Sequence, residues 1–277
     1  MLARNRRRSN RSRKGGFSTG AVIGTIALSA VALGMVAAFG WLKYQAMSTI
    51  SLDKVSLCPT TGPTSETAIL LDVTDPISDA TSIDLKNQFE RLVSSVPVNG
   101  AIDVYALTAK EGKLERTFHG CNPGSGDLAN EWTSNPKLVQ QRWEKGFQKP
   151  LDDIAGKIGS GASGEFSPIM AGIQRISLEA FQPLPAAITK TLFIASDMVE
   201  HTADFSSYRD GVSVTKFEAS PAREKFRTSL DGVQVRILAF QRPGQKFKME
   251  DLATFWKSWV EKNNGEFAGF TRLEGLQ

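Results

Sequence analysis

Asp72, Thr74 and Asp75 follow directly on the apolar run Ala68–Leu71, and Pro76 behind them cannot continue a central strand. A short apolar run bounded by turn residues reads as a strand buried on both faces. Open α/β sheets hold their ligands in loops at the carboxyl ends of such strands. Two carboxylates and a hydroxyl at that place would offer hard oxygen donors to a cation or to a hydrogen-bonding partner. The same residue types also cap helices, so the segment alone leaves both readings open.

Two more junctions repeat this chemistry. The glycine-rich loop Gly156–Gly164 delivers Ser167 to a helix start, with Pro168 at the first helical position. The run Ile188–Asp197 is a second buried strand that ends in a carboxylate. Catalysis has fewer candidates. Of the two histidines, His119 and His201, the latter follows Asp197 and would be the general base of a metal-dependent phosphoesterase or related hydrolase. A hydrolase with an Asp nucleophile after its first strand wants a second Asp two residues on, where Thr74 stands. The glycine-rich loop also lacks the Lys-Ser/Thr ending of a phosphate-binding loop. The expectation is therefore a non-enzyme, with the hydrolase, or a structural subunit whose site has decayed, as the alternatives.

The elements that position these groups alternate between strand and helix. Ser82–Val96 spaces Ile83, Leu85, Phe89, Leu92 and Val93 as one helical face. Ala101–Ala109 reads as a strand, the KEGK segment as a turn, and Leu114–Gly120 as an antiparallel partner. Pro136–Ile158 reads as a helix bent at Pro150. Val233–Phe240 is a further strand, Met249–Asn264 a last helix stopped by Gly265, and Glu266–Leu273 a closing edge strand. Such alternation predicts an α/β fold: a Rossmann-like, mostly parallel central sheet with helices on both faces.

Charge is placed unevenly. Seven of the 33 basic residues lie within the first fourteen positions, which leaves 26 basic against 29 acidic residues, a net −3, for the rest. The body is thus no basic nucleic-acid binder. Gly20–Leu42 then runs 23 residues without a charge, with Trp41 and Tyr44 at its far edge as interfacial anchors. It reads as one N-terminal transmembrane helix; a signal peptide cleaved after Val36 and Ala38 is the alternative. Gly20, Gly24, Ala30, Gly34 and Ala38 give a small-residue spacing through which such helices self-associate. Cys58 and Cys121 both fall on the exported side, where two thiols most simply form one disulfide, with metal ligation or a nucleophilic thiol as alternatives.

The three junctions, in this order and spacing, resemble the von Willebrand factor A-type domain and its metal-ion-dependent adhesion site. That family reads DxSxS in its first loop, a Thr in the second and an Asp, often as SDG, in the third. Here the loops read DVTDP, FSPI and IASDMVE. The resemblance covers 66–273 and implies Mg²⁺ or Mn²⁺ held by Asp72, Thr74, Ser167 and Asp197, with Asp75, Ser78 and Glu200 behind them. It further implies a protein partner that offers an acidic group to the ion. This chain departs from the pattern at Pro76, which has no ligand oxygen, at Ser167 in place of Thr, and at Met198 in place of glycine.

The organisation expected is a basic cytoplasmic tail (1–16), a transmembrane anchor (17–43), a stalk (44–65) and an A-type extracytoplasmic domain (66–277). Such a protein is single-pass in the inner, cytoplasmic membrane. Its domain is periplasmic or extracellular, works as an interaction module and meets its partners in an envelope-associated complex. The charge asymmetry flanking the span puts the amino terminus in the cytoplasm. A periplasmic phosphatase reporter at the carboxyl terminus should be active; activity of a cytoplasmic reporter there would reverse the topology.

Overall fold

The computed structural model describes residues 19–47, 51–74, 76–108, 113–129, 134–158, 165–242 and 244–273. Two compact units result, Met1–Thr49 and Ile50–Gln277. In the first, helix α1 (Thr19–Met47) is unbroken, and its stretch Val22–Tyr44 is long and apolar enough to cross a membrane. An anchor and a signal sequence share that property. The basic tail lies outside the described residues.

The second unit is built on a six-stranded sheet ordered β3-β2-β1-β4-β5-β6. Its strands are β1 (Ser65–Asp72), β2 (Ala101–Leu107), β3 (Leu114–Cys121), β4 (Thr189–Ser196), β5 (Val233–Ala239) and β6 (Glu266–Arg272). β3 alone is antiparallel to its neighbour. The mostly parallel α/β class expected from the sequence is the one found.

Alternation along β1 assigns its side chains to two cores. Ala68 and Leu70 enter one with Tyr105, Leu192 and Ile237; Ile69 and Leu71 enter the other with Ile102 and Val104. The second core is closed by α2 (Asp79–Ser95) through Leu85, Phe89, Leu92 and Val93. Ser78 caps α2 by accepting the Thr81 amide at 3.2 Å. Val96 stops it in an extended conformation, as the residue before Pro97 must.

The stretch 136–158 divides into α3 (Pro136–Trp143), a π-helical turn at Glu144–Gln148 and α4 (Lys149–Ala155). Pro150 lies in the first turn of α4, directly after the π turn that interrupts the regular helix. Across the sheet lie α5 (Ile169–Ile176), which runs into a π turn at Ser177–Phe181, and α9 (Met249–Lys262). Between β4 and β5 the sequence pattern predicts no helix. Three short ones occur there, α6 (Ser207–Asp210), α7 (Val214–Glu218) and α8 (Ala222–Lys225). They are too brief to show a periodicity.

Three boundaries differ from expectation. Pro168 stands just before α5 rather than inside it. Asn264, with φ of 63°, makes the left-handed stop after α9 instead of Gly265. Gly265 is needed for another reason: a Cβ there would lie 2.8 Å from Val260 Cγ1. Finally, much of the segment read as a stalk is folded onto the domain. Leu57 is buried, Cys58 is disulfide-bonded to Cys121, and the Cys121 amide donates to the Ser56 carbonyl at 2.8 Å. A bridge that closes a loop of 63 residues contributes roughly 4 kcal/mol in the chain-entropy model.

At the amino end of the sheet, Glu66 is buried, and its Oε1 has no hydrogen bond among the described residues. The neighbouring Asp103 meets His119 Nδ1 at 2.7 Å. Burial first, then the Asp103 charge, raise the Glu66 carboxyl from 4.5 to about 8, against a smaller downward pull from Arg116. The folded chain thus keeps a proton that the unfolded chain releases near 4.5. This contribution to stability is complete below that value and is lost as pH rises towards 8. Urea denaturation should show stability falling between about pH 5 and pH 8, at up to about 1.4 kcal/mol per pH unit. Glu66→Gln should flatten that slope; an unchanged slope would assign it to another group.

Candidate functional site

The strand order reverses between β1 and β4, since β1 leads on to β2 on one side while β4 pairs with β1 on the other. Crevices of open sheets form at that switch point. Asp72 ends β1 there and Asp197 follows β4, so the two carboxylates leave neighbouring strands at the same edge. Both are buried, at 6% and 4% exposure.

Asp72 is saturated with donors. Its Oδ1 accepts the Thr74 amide at 3.1 Å and the Thr74 hydroxyl at 2.5 Å. Its Oδ2 accepts Ser196 Oγ at 2.7 Å and Ser167 Oγ at 3.3 Å. The expected Asp72, Thr74 and Ser167 therefore do come together. Asp197 Oδ1 accepts the Val199 amide at 2.9 Å. Its Oδ2 lies 2.7 Å from Arg242 Nε, and Arg242 Nη2 is 3.5 Å from Asp72 Oδ2.

One guanidinium is thus shared between two carboxylates. It arrives from the loop after β5, 12% exposed, with its Cζ 5.5 Å from the Phe240 ring centroid. Gln245 fixes that loop: its Oε1 accepts the Arg242 amide at 3.1 Å and its Nε2 donates to the Asp197 carbonyl at 3.4 Å. Burial, then the charge of Asp72, raise the Asp197 carboxyl above the usual carboxylate range, and the Val199 amide pulls the other way. Burial lowers Arg242, while Asp72 supports its charge.

Met198, in place of the family's glycine, still takes a left-handed conformation with φ of 60°. What holds it is visible. Its amide donates to Ser196 Oγ at 2.9 Å, its carbonyl accepts Trp256 Nε1 from α9 at 2.8 Å, and its side chain is wholly buried. Ser167 and His201 exchange backbone hydrogen bonds at 3.0 Å in both directions, which locks the second loop to the third.

The residues expected behind the ligands do other work. Ser78 caps α2, and Glu200, fully buried, accepts the Met170 amide at 2.9 Å at the start of α5. Asp75 lies outside the described residues. His201 spends Nδ1 on Ser206 at 2.8 Å, and Ser206 is buried.

The oxygen donors suit a hard cation by type. Arg242 alters the fit. A divalent ion about 4 Å from the guanidinium would meet a repulsion of roughly 8 kcal/mol at an effective dielectric of about 20. With Arg242 in place, the expected set Asp72, Thr74, Ser167 and Asp197 does not fit Mg²⁺ or Mn²⁺.

Sequence reasoning missed Ser196 and Arg242. Ser196 stood in the quoted IASDMVE beside Asp197, and a hydroxyl one residue before a candidate ligand was the available signal. Arg242 follows the third buried strand within three residues of its end, the same placement that singled out the two aspartates.

No protein-family model matches the sequence, and no curated protein matches it. Among solved structures, the chain is similar to a conserved hypothetical protein, BatB, from Bacteroides thetaiotaomicron. Identity is 14%, covering 76% of this chain and 91% of that one, with a TM-score of 0.39. It is similar to a von Willebrand factor type A protein from Catenulispora acidiphila at 8% identity, covering 77% and 39%, with a TM-score of 0.42. It is also similar to proximal thread matrix protein 1 of the mussel byssus, described with a zinc-occupied MIDAS motif, at 13% identity, 82% and 44% coverage and a TM-score of 0.35. The chain spans less than half the length of the last two.

Ser196→Ala removes the shorter of the two side-chain hydroxyl contacts to Asp72 Oδ2. Losing a buried hydrogen bond to a charged group costs about 1.5–3 kcal/mol. Urea denaturation should show a loss of that size, and one under about 0.5 kcal/mol would mean that the bond does not organise the site.

Proposed function

We propose that this chain is a membrane-anchored interaction module: α1 holds it in the membrane, and the A-type-like domain, outside the cytoplasm, binds a protein of the cell envelope at the edge where Asp72 and Asp197 lie. The observation that carries this reading is a row of rings beside that edge. Phe166 and His201 lie 5.7 Å apart, His201 and Tyr208 5.5 Å, and Tyr208 and Phe247 5.7 Å. Tyr208 is 65% exposed. Burial, then the charges of Asp197 and Asp72, raise its phenol, which ties the row electrostatically to the carboxylate pair.

Rigid aromatic side chains held by neighbours give much contact area for little lost entropy, and they dominate binding energy at protein interfaces. Lys246 and Lys248, both exposed, flank Phe247. The partner chemistry that suits this face is an apolar segment bearing acidic groups, met by lysine side chains. The hydrolase reading has less support, because His201, its candidate base, has Nδ1 engaged by Ser206 Oγ at 2.8 Å.

The test is capture from detergent-solubilised membranes by the full chain, with and without chelator. Tyr208→Ala combined with Phe247→Ala should reduce recovery of the captured protein by tenfold or more, since each such anchor is worth on the order of 2 kcal/mol. Val55→Ala, at a site 90% exposed in another segment, should capture as wild type does. Equal recovery by the double variant would remove this face as the binding surface.

A further inference from the structure

We infer that the Arg242 guanidinium replaces a divalent cation as the charge that binds Asp72 to Asp197, and that its removal turns these three loops into a hard-cation site. Two carboxylates this deeply buried cannot both stay ionised without a counter-charge. In this chain that charge is covalent: Nε meets Asp197 at 2.7 Å and Nη2 approaches Asp72 at 3.5 Å.

The arginine is built in. Its guanidinium carbon lies 5.5 Å from the Phe240 ring centroid, its backbone amide is held by Gln245, and Gln245 also holds the Asp197 carbonyl. The loops that converge on it are tied to one another by the Ser196 and Ser167 hydroxyls on Asp72. A cation that is part of the chain cannot be taken by a chelator, diluted away or exchanged. The face is therefore set at every divalent-ion concentration.

The same geometry predicts what lies beneath. Take the guanidinium away, and two carboxylates remain with the Thr74, Ser167 and Ser196 hydroxyls around them. That is an all-oxygen set of the class that Mg²⁺ and Mn²⁺ prefer. Unlike the partner reading, this inference concerns only the folded chain and stands or falls without any partner.

The experiment uses the full chain in detergent and Mn²⁺ as the probe, read by loss of the free-ion electron paramagnetic resonance signal and by thermal unfolding. Wild type should leave the free Mn²⁺ signal intact, and its midpoint should not move between chelator and millimolar Mn²⁺. Arg242→Met keeps an unbranched apolar side chain at this position and removes the charge. It should unfold at a lower temperature in chelator, bind Mn²⁺ one to one, and regain stability as Mn²⁺ rises. Adding Asp197→Asn should abolish that rescue. Stoichiometric Mn²⁺ binding by wild type would overturn the inference, as would an Arg242→Met chain that neither binds Mn²⁺ nor responds to it. Should Arg242→Met not fold in chelator, refolding with Mn²⁺ supports the inference and failure with Mn²⁺ counts against it.

Discussion

The ion cluster of Asp72, Arg242 and Asp197 is the constraint around which the carboxyl edge of the sheet is arranged. The three come from the carboxyl ends of different parallel strands: Asp72 ends β1, Arg242 follows β5 and Asp197 follows β4. Burying a charge is affordable only when it is paired and hydrogen-bonded, and here none of the three satisfies another alone. Hence the accessory bonds around it. Thr74, Ser167 and Ser196 occupy the lone pairs that Arg242 leaves on Asp72, and the Val199 amide takes the second oxygen of Asp197. Remove one charge and the other two lose their compensation. For that reason the loops behave as one unit despite being 124 residues apart between Asp72 and Ser196.

Strain is stored at the same place. Met198 takes a conformation that favours glycine, yet the chain places there a large side chain that fills the core between sheet and α9. The packing of that thioether and the Trp256 hydrogen bond offset a cost of order 1–3 kcal/mol. A glycine would relieve the strain and lose the packing. The consequence for function is rigidity, since Met198 directs both Asp197 before it and the 199–210 loop after it.

Periodicity made the fold legible. β1, β4 and β5 sit where apolar runs end in turn residues, and α2 sits on the face marked by Leu85, Phe89, Leu92 and Val93. Asp72, Thr74 and Ser167 were legible as well, because strand-to-helix junctions are where side chains converge. What stayed hidden was sign. Composition shows where carboxylates gather but not what neutralises them, and Arg242 lies 170 residues beyond Asp72 in a loop with no helical or strand pattern. The folded segment 51–64 was hidden for a related reason. A Ser/Thr/Pro-rich stretch looks like a linker until Cys58 and Leu57 are seen docked on β3 and on Gly146, whose missing Cβ admits the leucine.

The two ends of the sheet solve the burial of acids differently, and the difference bears on what each end can do. At the amino end Glu66 is left with a raised carboxyl and no hydrogen bond to Oε1 among the described residues, so its cheapest state is neutral. Nothing in that arrangement asks for a partner. At the carboxyl end Asp72 and Asp197 share the Arg242 guanidinium, and Tyr208, in the row of rings, stays exposed. Buried ions that are already paired with one another leave little side-chain entropy to lose when such a surface is covered. The ion cluster beneath contributes by holding the loops still.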